Sequence, residues 1–422
     1  MKFIHAADLH IDSPLLGLNA YEGAPAERIR GATRAALIAL VDLALAERVD
    51  LVALAGDIYD GNWQDFKTGL FFREQMVRLA RAGVRVFIAK GNHDAESVIT
   101  KALPGVAGVH IFSSRKAECI ELPEIGVAVH GRSFPEKAVV EDLLPGYSAP
   151  VPGRFNLGIL HTSLAGNIEH PTYAPTTAAA LCAKGYDYFA LGHIHKREIV
   201  RESSPRIVYA GNLQGRHARE TGSKGCELVV VEEGRIVSAE HVSLDVVRWH
   251  QIVLDATGVQ TLEALASRFA QAAQAHADGA RERLHAVRLL IEGESELAQR
   301  EAEQPGTLAA AIQAATQELD GIEVWIEKVK IDLRSPIDRA SAAERPDAVG
   351  DVIRLVDELQ ADEARLKAWM GEQLREMKNL PFGLLDADPA ALDAEALRAA
   401  LAEAESTLLA HLHSASQQGA GA

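Results

Sequence analysis

Gly91-Asn92-His93-Asp94 follows the apolar run Val84-Arg85-Val86-Phe87-Ile88-Ala89. The run reads as a strand and the tetrapeptide as the sharp turn in which it ends. An amide, an imidazole and a carboxylate crowded at a strand end make poor core material. They suit a place where oxygen and nitrogen ligands converge on a metal ion and a phosphate. A loop built on turn chemistry alone has the same composition, so the reading depends on partners elsewhere in the chain.

Such partners occur, each just past the C-terminal end of an apolar strand. Lys2–Ala7 runs into Asp8-Leu9-His10, and Leu51–Ala55 into Gly56-Asp57. Leu157–Leu160 runs into His161, and Tyr186–Leu191 into Gly192-His193-Ile194-His195. Open α/β sheets place their ligands at these ends. Amphipathic helices are predicted over 27–47 and 66–82, and further strands over 107–112, 118–122 and 126–131. Residues 1–245 therefore alternate as a layered α/β domain does.

In an extended segment, side chains two apart point the same way, which aligns Asp8 with His10 and His193 with His195. Asp8, His10, Asp57, Asn92, His161, His193 and His195 supply seven N/O ligands. That is too many for one transition metal, and right for two if one carboxylate bridges and water fills the remaining positions. Asp57, alone at its strand end, is the natural bridge. The absence of sulfur points to Mn, Fe or Zn. Two such ions, about 3.5–4 Å apart, activate water and clamp phosphate oxygens for in-line displacement. His93, outside the coordination count, would protonate the leaving oxygen or stabilise charge on the phosphoryl group. Asp94 would orient His93 through its free ring nitrogen. The ordinary reading of a lone histidine, a hydrogen-bonded structural residue, is kept for His5, His110, His130, His170, His217, His411 and His413.

A chain of 422 residues should hold more than one domain. Its 48% hydrophobic and 24% charged content is that of a soluble globular protein, and no apolar run is long enough to span a bilayer. The start enters structure at once and has no signal-peptide cleavage site. Cys119, Cys182 and Cys226 lie far apart, which excludes a thiolate zinc site and points to a reducing, cytoplasmic setting. The net charge of −16 weighs against tight autonomous DNA binding. It is neutral toward phosphoester chemistry, because bound divalent cations reverse the local sign.

From Val246 the texture changes. Strands over 248–255, 284–291 and 323–332 and helices over 260–278 and 296–318 predict a smaller α+β domain, 246–335. A polar linker follows to about 347, then a helical segment, 348–413. In it Val352, Leu355, Leu359, Leu366, Met370, Leu374 and Met377 trace one helix face. A second helix opens at Asp388-Pro389 and continues through Leu397, Leu401, Ala404, Leu408 and Leu412. Residues 414–422 are predicted to be a disordered tail.

The blocks DxH, GD, GNH(D/E), a single His and GHxH, in this order, resemble the calcineurin-like metallophosphoesterase superfamily. All five are intact here, as Asp8-Leu9-His10, Gly56-Asp57, Gly91–Asp94, His161 and Gly192–His195. The resemblance implies a four-layer sandwich, two β-sheets flanked by helices, with a two-metal site at the strand ends. It implies one metal on Asp8, His10, Asp57 and His195, and the other on Asp57, Asn92, His161 and His193. His5–Pro14 and Ala210–His217 are similar to bacterial DNA-repair exonucleases of the SbcD/YhaO type, with the YhaO branch nearer because Leu9 stands where SbcD proteins carry Trp. This implies a Mn²⁺-dependent DNA exonuclease with endonuclease action beside it, Fe²⁺ or Zn²⁺ being the alternative metals. It also implies a capping role for 246–335, a docking segment in the terminal helices for an SMC-like coiled-coil ATPase, and a homodimer. Lys90, Arg216 and Arg219 are candidates for contacting substrate phosphate, with a solvated loop the equal alternative. Two other readings stay open. A small-molecule phosphodiesterase or phosphatase would use the same site without needing the extra domain. A scaffold without catalysis would be expected to lack metal histidines, and none is missing.

Overall fold

The computed structural model describes residues 1–13, 25–60, 66–96, 105–164, 173–336, 339–376 and 394–419. The expectations for His170, Met377 and Asp388-Pro389 lie outside the described residues. Met1–His250 with Ala280–Ala286 form one compact unit, and Gln251–Gly279 with Val287–Ala422 form another.

The first unit is built on two six-stranded sheets. In the first, β1 (Lys2–Ala6), β2 (Leu51–Leu54), β3 (Arg85–Ile88) and β4 (Val109–Ile111) run parallel. β11 (Gly225–Glu232) and β12 (Arg235–Ser243) add antiparallel on the β1 side. The second sheet has the order β5-β6-β7-β8-β10-β9. Its strands are β5 (Glu118–Leu122), β6 (Val127–Gly131), β7 (Phe155–His161), β8 (Tyr188–Gly192), β9 (Glu198–Arg201) and β10 (Arg206–Tyr209).

Parallel strands buried on both faces read as continuous apolar runs, and the alternation within them sorts side chains between two cores. Phe3, Ala53 and Phe87 meet Val129, Leu157, Tyr188 and Val208 between the sheets. Ile4, Val52, Leu54, Val86 and Ile88 face the opposite way, onto Ala36, Leu37 and Leu40 of helix α1 (Ala26–Ala46) and Met76 and Leu79 of α2 (Phe66–Arg81). Behind the second sheet, Leu160, Phe189, Leu191 and Tyr209 pack on Phe134, Leu143, Tyr147 and Leu181. The four layers are thus two sheets with a covering layer on each side, as the sequence implied.

One polar network interrupts the apolar sandwich. Glu227 on β11 is fully buried, accepts both ends of the Arg197 guanidinium (2.5 and 3.2 Å), and lies 4.0 Å from the buried Arg206. His5 on β1 bonds the Tyr188 hydroxyl and donates to the Leu191 carbonyl, both at 3.1 Å, and so ties the two sheets together. Burial pushes its pKa down to about 4, so the ring is neutral and structural. Removing one partner of a buried ion pair strands the other charge, so Glu227→Ala should lose about 3–5 kcal/mol of unfolding free energy. Urea denaturation of the metal-free protein measures this. An unchanged midpoint would show that the arginines are satisfied without Glu227.

In the second unit the sheet β13-β14-β15 comprises β13 (Val247–Asp255), β14 (Leu284–Glu294) and β15 (Glu323–Arg334), the first two of which begin in the first unit. Leu289 and Ile291 pack on Leu265 and Phe269 of the helix Leu262–Ala277 and on Leu308 and Ile312 of the helix Thr307–Thr316. Three expectations are corrected. The helix predicted over 296–318 is two, Leu297–Glu303 and Thr307–Thr316, because Pro305 and the left-handed Gly306 (φ +92°) break it. The face starting at Val352 belongs to two helices, Ala348–Ala361 and Glu363–Glu376. Asp362 ends the first with extended backbone and starts the second by accepting the Ala364 and Arg365 amides (2.9 and 3.1 Å). The helix Ala394–Gly419 includes residues 414–419 of the predicted disordered tail, whose Ser, Ala and Gln residues hold no breaker before Gly419.

Candidate metal centre

The site begins with three loops that follow strand ends. After β1, the amides of Asp8, His10 and Ile11 donate to the carbonyls of Gly56, Asp57 and Ile58 (each 3.0 Å), so the DLH and GD loops run side by side. Neither pair, Asp8 with His10 or His193 with His195, is extended as the period-two expectation required. Asp8, His10, Asp57 and His193 all have positive φ (51°, 42°, 52° and 101°). Left-handed backbone at non-glycine residues carries strain of about 1–3 kcal/mol each and collects where function demands it. The side chains meet because of these turns, not because of strand alternation. Close approach also explains two glycines. A Cβ on Gly91 would run into the Asp57 carboxylate, and one on Gly192 into the Ala55 carbonyl.

All seven predicted ligands are buried or nearly so, and the structure brings them together. His10 Nε2 and His195 Nε2 lie 3.1 Å apart, and Asp8, His10 and His195 place ligand atoms within 4.8 Å of one another. Asp8, Asp57 and His161 form a second such group. His161 Nε2 lies 3.0 Å from Asn92 Oδ1 and 3.5 Å from Asp57 Oδ2, and the His193 ring packs edge-on at 5.3 Å between centroids. Asp57 Oδ2 also lies 3.9 Å from His10 Nε2, so one carboxylate oxygen faces a ligand from each expected set.

The protons decide what this cluster is for. His161 Nδ1 sits 2.8 Å from the Ala55 carbonyl, which only accepts, so the ring proton is there and the Nε2 lone pair points at Asn92 Oδ1 and Asp57. Burial lowers the His161 pKa to about 3, so no second proton intervenes. His195 donates Nδ1–H to Glu220 (2.7 Å), and His10 turns Nδ1 toward Asp60 (3.5 Å). The His195 Nε2 lone pair then faces His10 Nε2. Burial, then the charge of Asp57, raises the Asp8 pKa, and burial raises that of Asp57 to about 6. Imidazole nitrogens, an amide oxygen and carboxylates converging in one buried place fit divalent cations.

His93 lies beside this centre, with its backbone N–H on Asp57 Oδ1 (3.0 Å) and its ring 5.0 Å from that of His10. Its orienting carboxylate is not Asp94, which corrects the sequence reading. Asp94 is buried and accepts the amides of Ile58, Tyr59 and Gly91 (2.9, 3.0 and 3.2 Å), and so fastens the GD loop to the GNHD turn. That turn also opens a five-residue helix, α3 (Asn92–Glu96). Asp60 takes the orienting place, 2.9 Å from His93 Nδ1. The Asp60 hydrogen bond raises the His93 pKa. Burial opposes ionisation of Asp60, but the neighbouring His10 and His93 imidazoles outweigh it and hold its carboxyl well below the usual range.

Asp60 and Glu220 are the functional residues that sequence reasoning missed. Asp60 stood in plain view, three positions after Asp57, whereas nothing local marks Glu220. Lys224 is a third, donating Nζ–H to the His195 carbonyl (3.0 Å). Of the three cationic candidates, Arg216 reaches the centre, with Nη2 3.3 Å from His195 Nδ1. Arg219 is exposed, and its backbone N–H points to His217 Nδ1 (3.3 Å). Lys90 is half-buried and fixed through its backbone to Ser133 and Phe134.

Residues 1–197 match the family model of calcineurin-like phosphoesterases. The chain carries a calcineurin-like metallophosphoesterase domain. Residues 249–334 match the middle domain of metallophosphoesterase YhaO. The uncharacterized metallophosphoesterase YhaO of Bacillus subtilis (strain 168) is 37% identical over 63% of this chain and 65% of its own. The DNA double-strand break repair protein Mre11 of Methanopyrus kandleri is 25% identical over 58% of this chain and 57% of its own. The SbcD component of the nuclease SbcCD of Bacillus subtilis (strain 168) is 23% identical over 59% of this chain and 72% of its own. The match thus spans less than two thirds of the YhaO and Mre11 relatives. No helix among the described residues is long and apolar enough to cross a membrane.

Proposed function

We propose that this metallophosphoesterase is a Mn²⁺-dependent DNA exonuclease with endonuclease action on the same site. The observation that carries the metal chemistry is the convergence of ligand atoms: His10 Nε2 on His195 Nε2 at 3.1 Å, and His161 Nε2 on Asn92 Oδ1 at 3.0 Å. In this reading Asp8, His10, Asp57 and His195 hold one ion, and Asp57, Asn92, His161 and His193 the other. The donors are nitrogen and oxygen, which suits Mn²⁺, with Fe²⁺ or Zn²⁺ as alternatives. When bound, such a pair supplies Lewis acidity to the phosphoryl oxygens and lowers the pKa of an attacking water.

The protein's own part follows from its hydrogen bonds. The Ala55 carbonyl and Glu220 fix the tautomers of His161 and His195, leaving Nε2 free on each. Asp94 holds the loops that carry Asp57 and Asn92. His93, whose pKa the Asp60 hydrogen bond raises, delivers a proton or positive charge to the leaving oxygen. Lys90 and Arg219 are the cations assigned to the substrate backbone.

DNA as substrate is supported by the similarity to Mre11 and SbcD relatives, and by a second domain that a small substrate does not require. The same reading gives 246–335 a capping role over 1–245, 348–413 the docking of an SMC-like coiled-coil ATPase, and the chain a homodimeric, cytoplasmic form. The test is an end-labelled duplex incubated with the protein and Mn²⁺, beside bis-p-nitrophenyl phosphate. Stepwise shortening that EDTA abolishes is expected. Diester cleavage with intact DNA, even with the ATPase supplied, would leave the small-molecule phosphodiesterase instead.

A further inference from the structure

Arg216 stands where three sequence blocks meet. Its Nη1 lies 3.3 Å from Ser13 Oγ and 3.7 Å from Asp60 Oδ2. Its Nη2 lies 3.5 Å from Glu220 Oε1 and 3.3 Å from His195 Nδ1. Ser13 itself donates to Asp60 (2.5 Å), and Glu220 accepts the Arg216 backbone N–H and the Asn212 side-chain N–H (2.7 and 2.9 Å) as well as His195 Nδ1–H. The side chain is only 16% exposed, and its Nε is buried without a partner. The guanidinium therefore lies between two carboxylates. One orients His93 and the other orients His195.

We infer that Arg216 is a positioning residue that clamps Asp60 to Glu220, fixing the His93 and His195 rings against each other, and is not a ligand of substrate phosphate. A planar fork reaches two carboxylates at once, while an ammonium on a flexible stem reaches one. Without the fork, the half-buried Asp60 and the buried Glu220 lose the positive charge between them, and Glu220 loses a donor as well. Their histidines then lose the fixed orientation that outer partners give to ligands. The clamp also explains why Ser13, Asp60 and the Arg216–Glu220 stretch are built into one neighbourhood although they lie in separate blocks of the chain.

This inference rests on the two-metal reading but not on DNA as substrate, so the test uses Mn²⁺ and bis-p-nitrophenyl phosphate. Mn²⁺ is titrated calorimetrically into EDTA-stripped parent, Arg216→Gln and Arg216→Lys proteins, and steady-state kinetics are measured on each. Arg216→Gln is expected to weaken Mn²⁺ binding and lower kcat, each by about 10–100-fold, with KM little changed. Arg216→Lys should fall between it and the parent. Should the Gln variant fail to fold, the Lys isotherm and kcat decide alone. A raised KM with kcat and the Mn²⁺ isotherm intact would overturn the clamp and make Arg216 a phosphate ligand. Parent-like isotherm and kinetics in both variants would overturn it equally. Failure of the DNA reading shows only in the DNA assay and leaves the isotherms unaffected.

Discussion

His93→Ala should lower kcat by about 10²–10⁴-fold and leave the Mn²⁺ isotherm of the protein unchanged. The imidazole contributes no atom to either expected ligand set, and its backbone N–H, which holds Asp57 Oδ1 at 3.0 Å, survives the substitution. What is lost is a ring held by Asp60 at 2.9 Å, whose pKa that hydrogen bond raises above the usual histidine value. A histidine with a raised pKa keeps its proton to higher pH than a free imidazole does, and loses it as pH climbs. The parent's kcat should therefore fall on the alkaline side, and that limb should vanish in His93→Ala.

The same variant separates the two roles left open for His93. Nitrophenolate leaves without help, whereas a DNA alkoxide needs a proton. If His93 is a general acid, the deficit is larger on DNA than on bis-p-nitrophenyl phosphate. Equal deficits on both would assign it to charge stabilisation of the phosphoryl group. A Mn²⁺ isotherm that weakens in the variant would count His93 among the metal ligands and undo the division of labour drawn above.

What the sequence made legible is what strand ends and residue types encode. The positions of Asp8, Asp57, Asn92, His161 and His193 followed from apolar runs of fixed direction, and parallel strands bring such ends to one edge. The backbone at those ends was not legible, because left-handed φ at Asp8, His10, Asp57 and His193 comes from loops packed on one another. Hydrogen-bond partners were the weakest inference. Asp94 was assigned to His93 by adjacency, yet its position in the short helix α3 turns the carboxylate back onto the amides of Ile58, Tyr59 and Gly91. Glu220, twenty-five positions from His195, is visible only in three dimensions. Helix breaks divided similarly. Pro305-Gly306 is a local signal that periodicity overran, whereas Asp362 acts by capping, which periodicity does not report.

Asp57→Asn should abolish metal binding and raise the stability of the metal-free protein. Asp57 Oδ2 faces both His161 (3.5 Å) and His10 (3.9 Å), so its loss weakens both ion sites. The fall in Mn²⁺ affinity should exceed the roughly 10–100-fold typical of outer partners. Diester hydrolysis falls with it. In EDTA the sign reverses. Burial raises the folded-state pKa of Asp57 from 3.8 to about 6, so the native state binds this proton more tightly than the unfolded chain does. Where the native state holds the extra proton, stability falls as pH rises. Asp57 thus lowers the stability of the apo protein progressively between about pH 4 and 6, and by a constant amount above that. Asparagine does not titrate, keeps an oxygen for the His93 amide, and offers N–H to the lone pairs of His161 and His10. The stability gap between variant and parent should therefore open across that window, reaching the order of 3 kcal/mol at pH 7. Groups distant from Asp57 cancel in the difference, whereas Asp8 and Asp94, whose pKa values burial and then the Asp57 charge raise, titrate lower in the variant and widen the gap. Urea denaturation in EDTA at pH 4, 5, 6 and 7 measures it, and saturating Mn²⁺ should invert the order by stabilising the parent alone. An Asn variant less stable than the parent in EDTA at pH 7 would mean that the carboxylates are satisfied without cations, and the centre would lose its reading as a metal site.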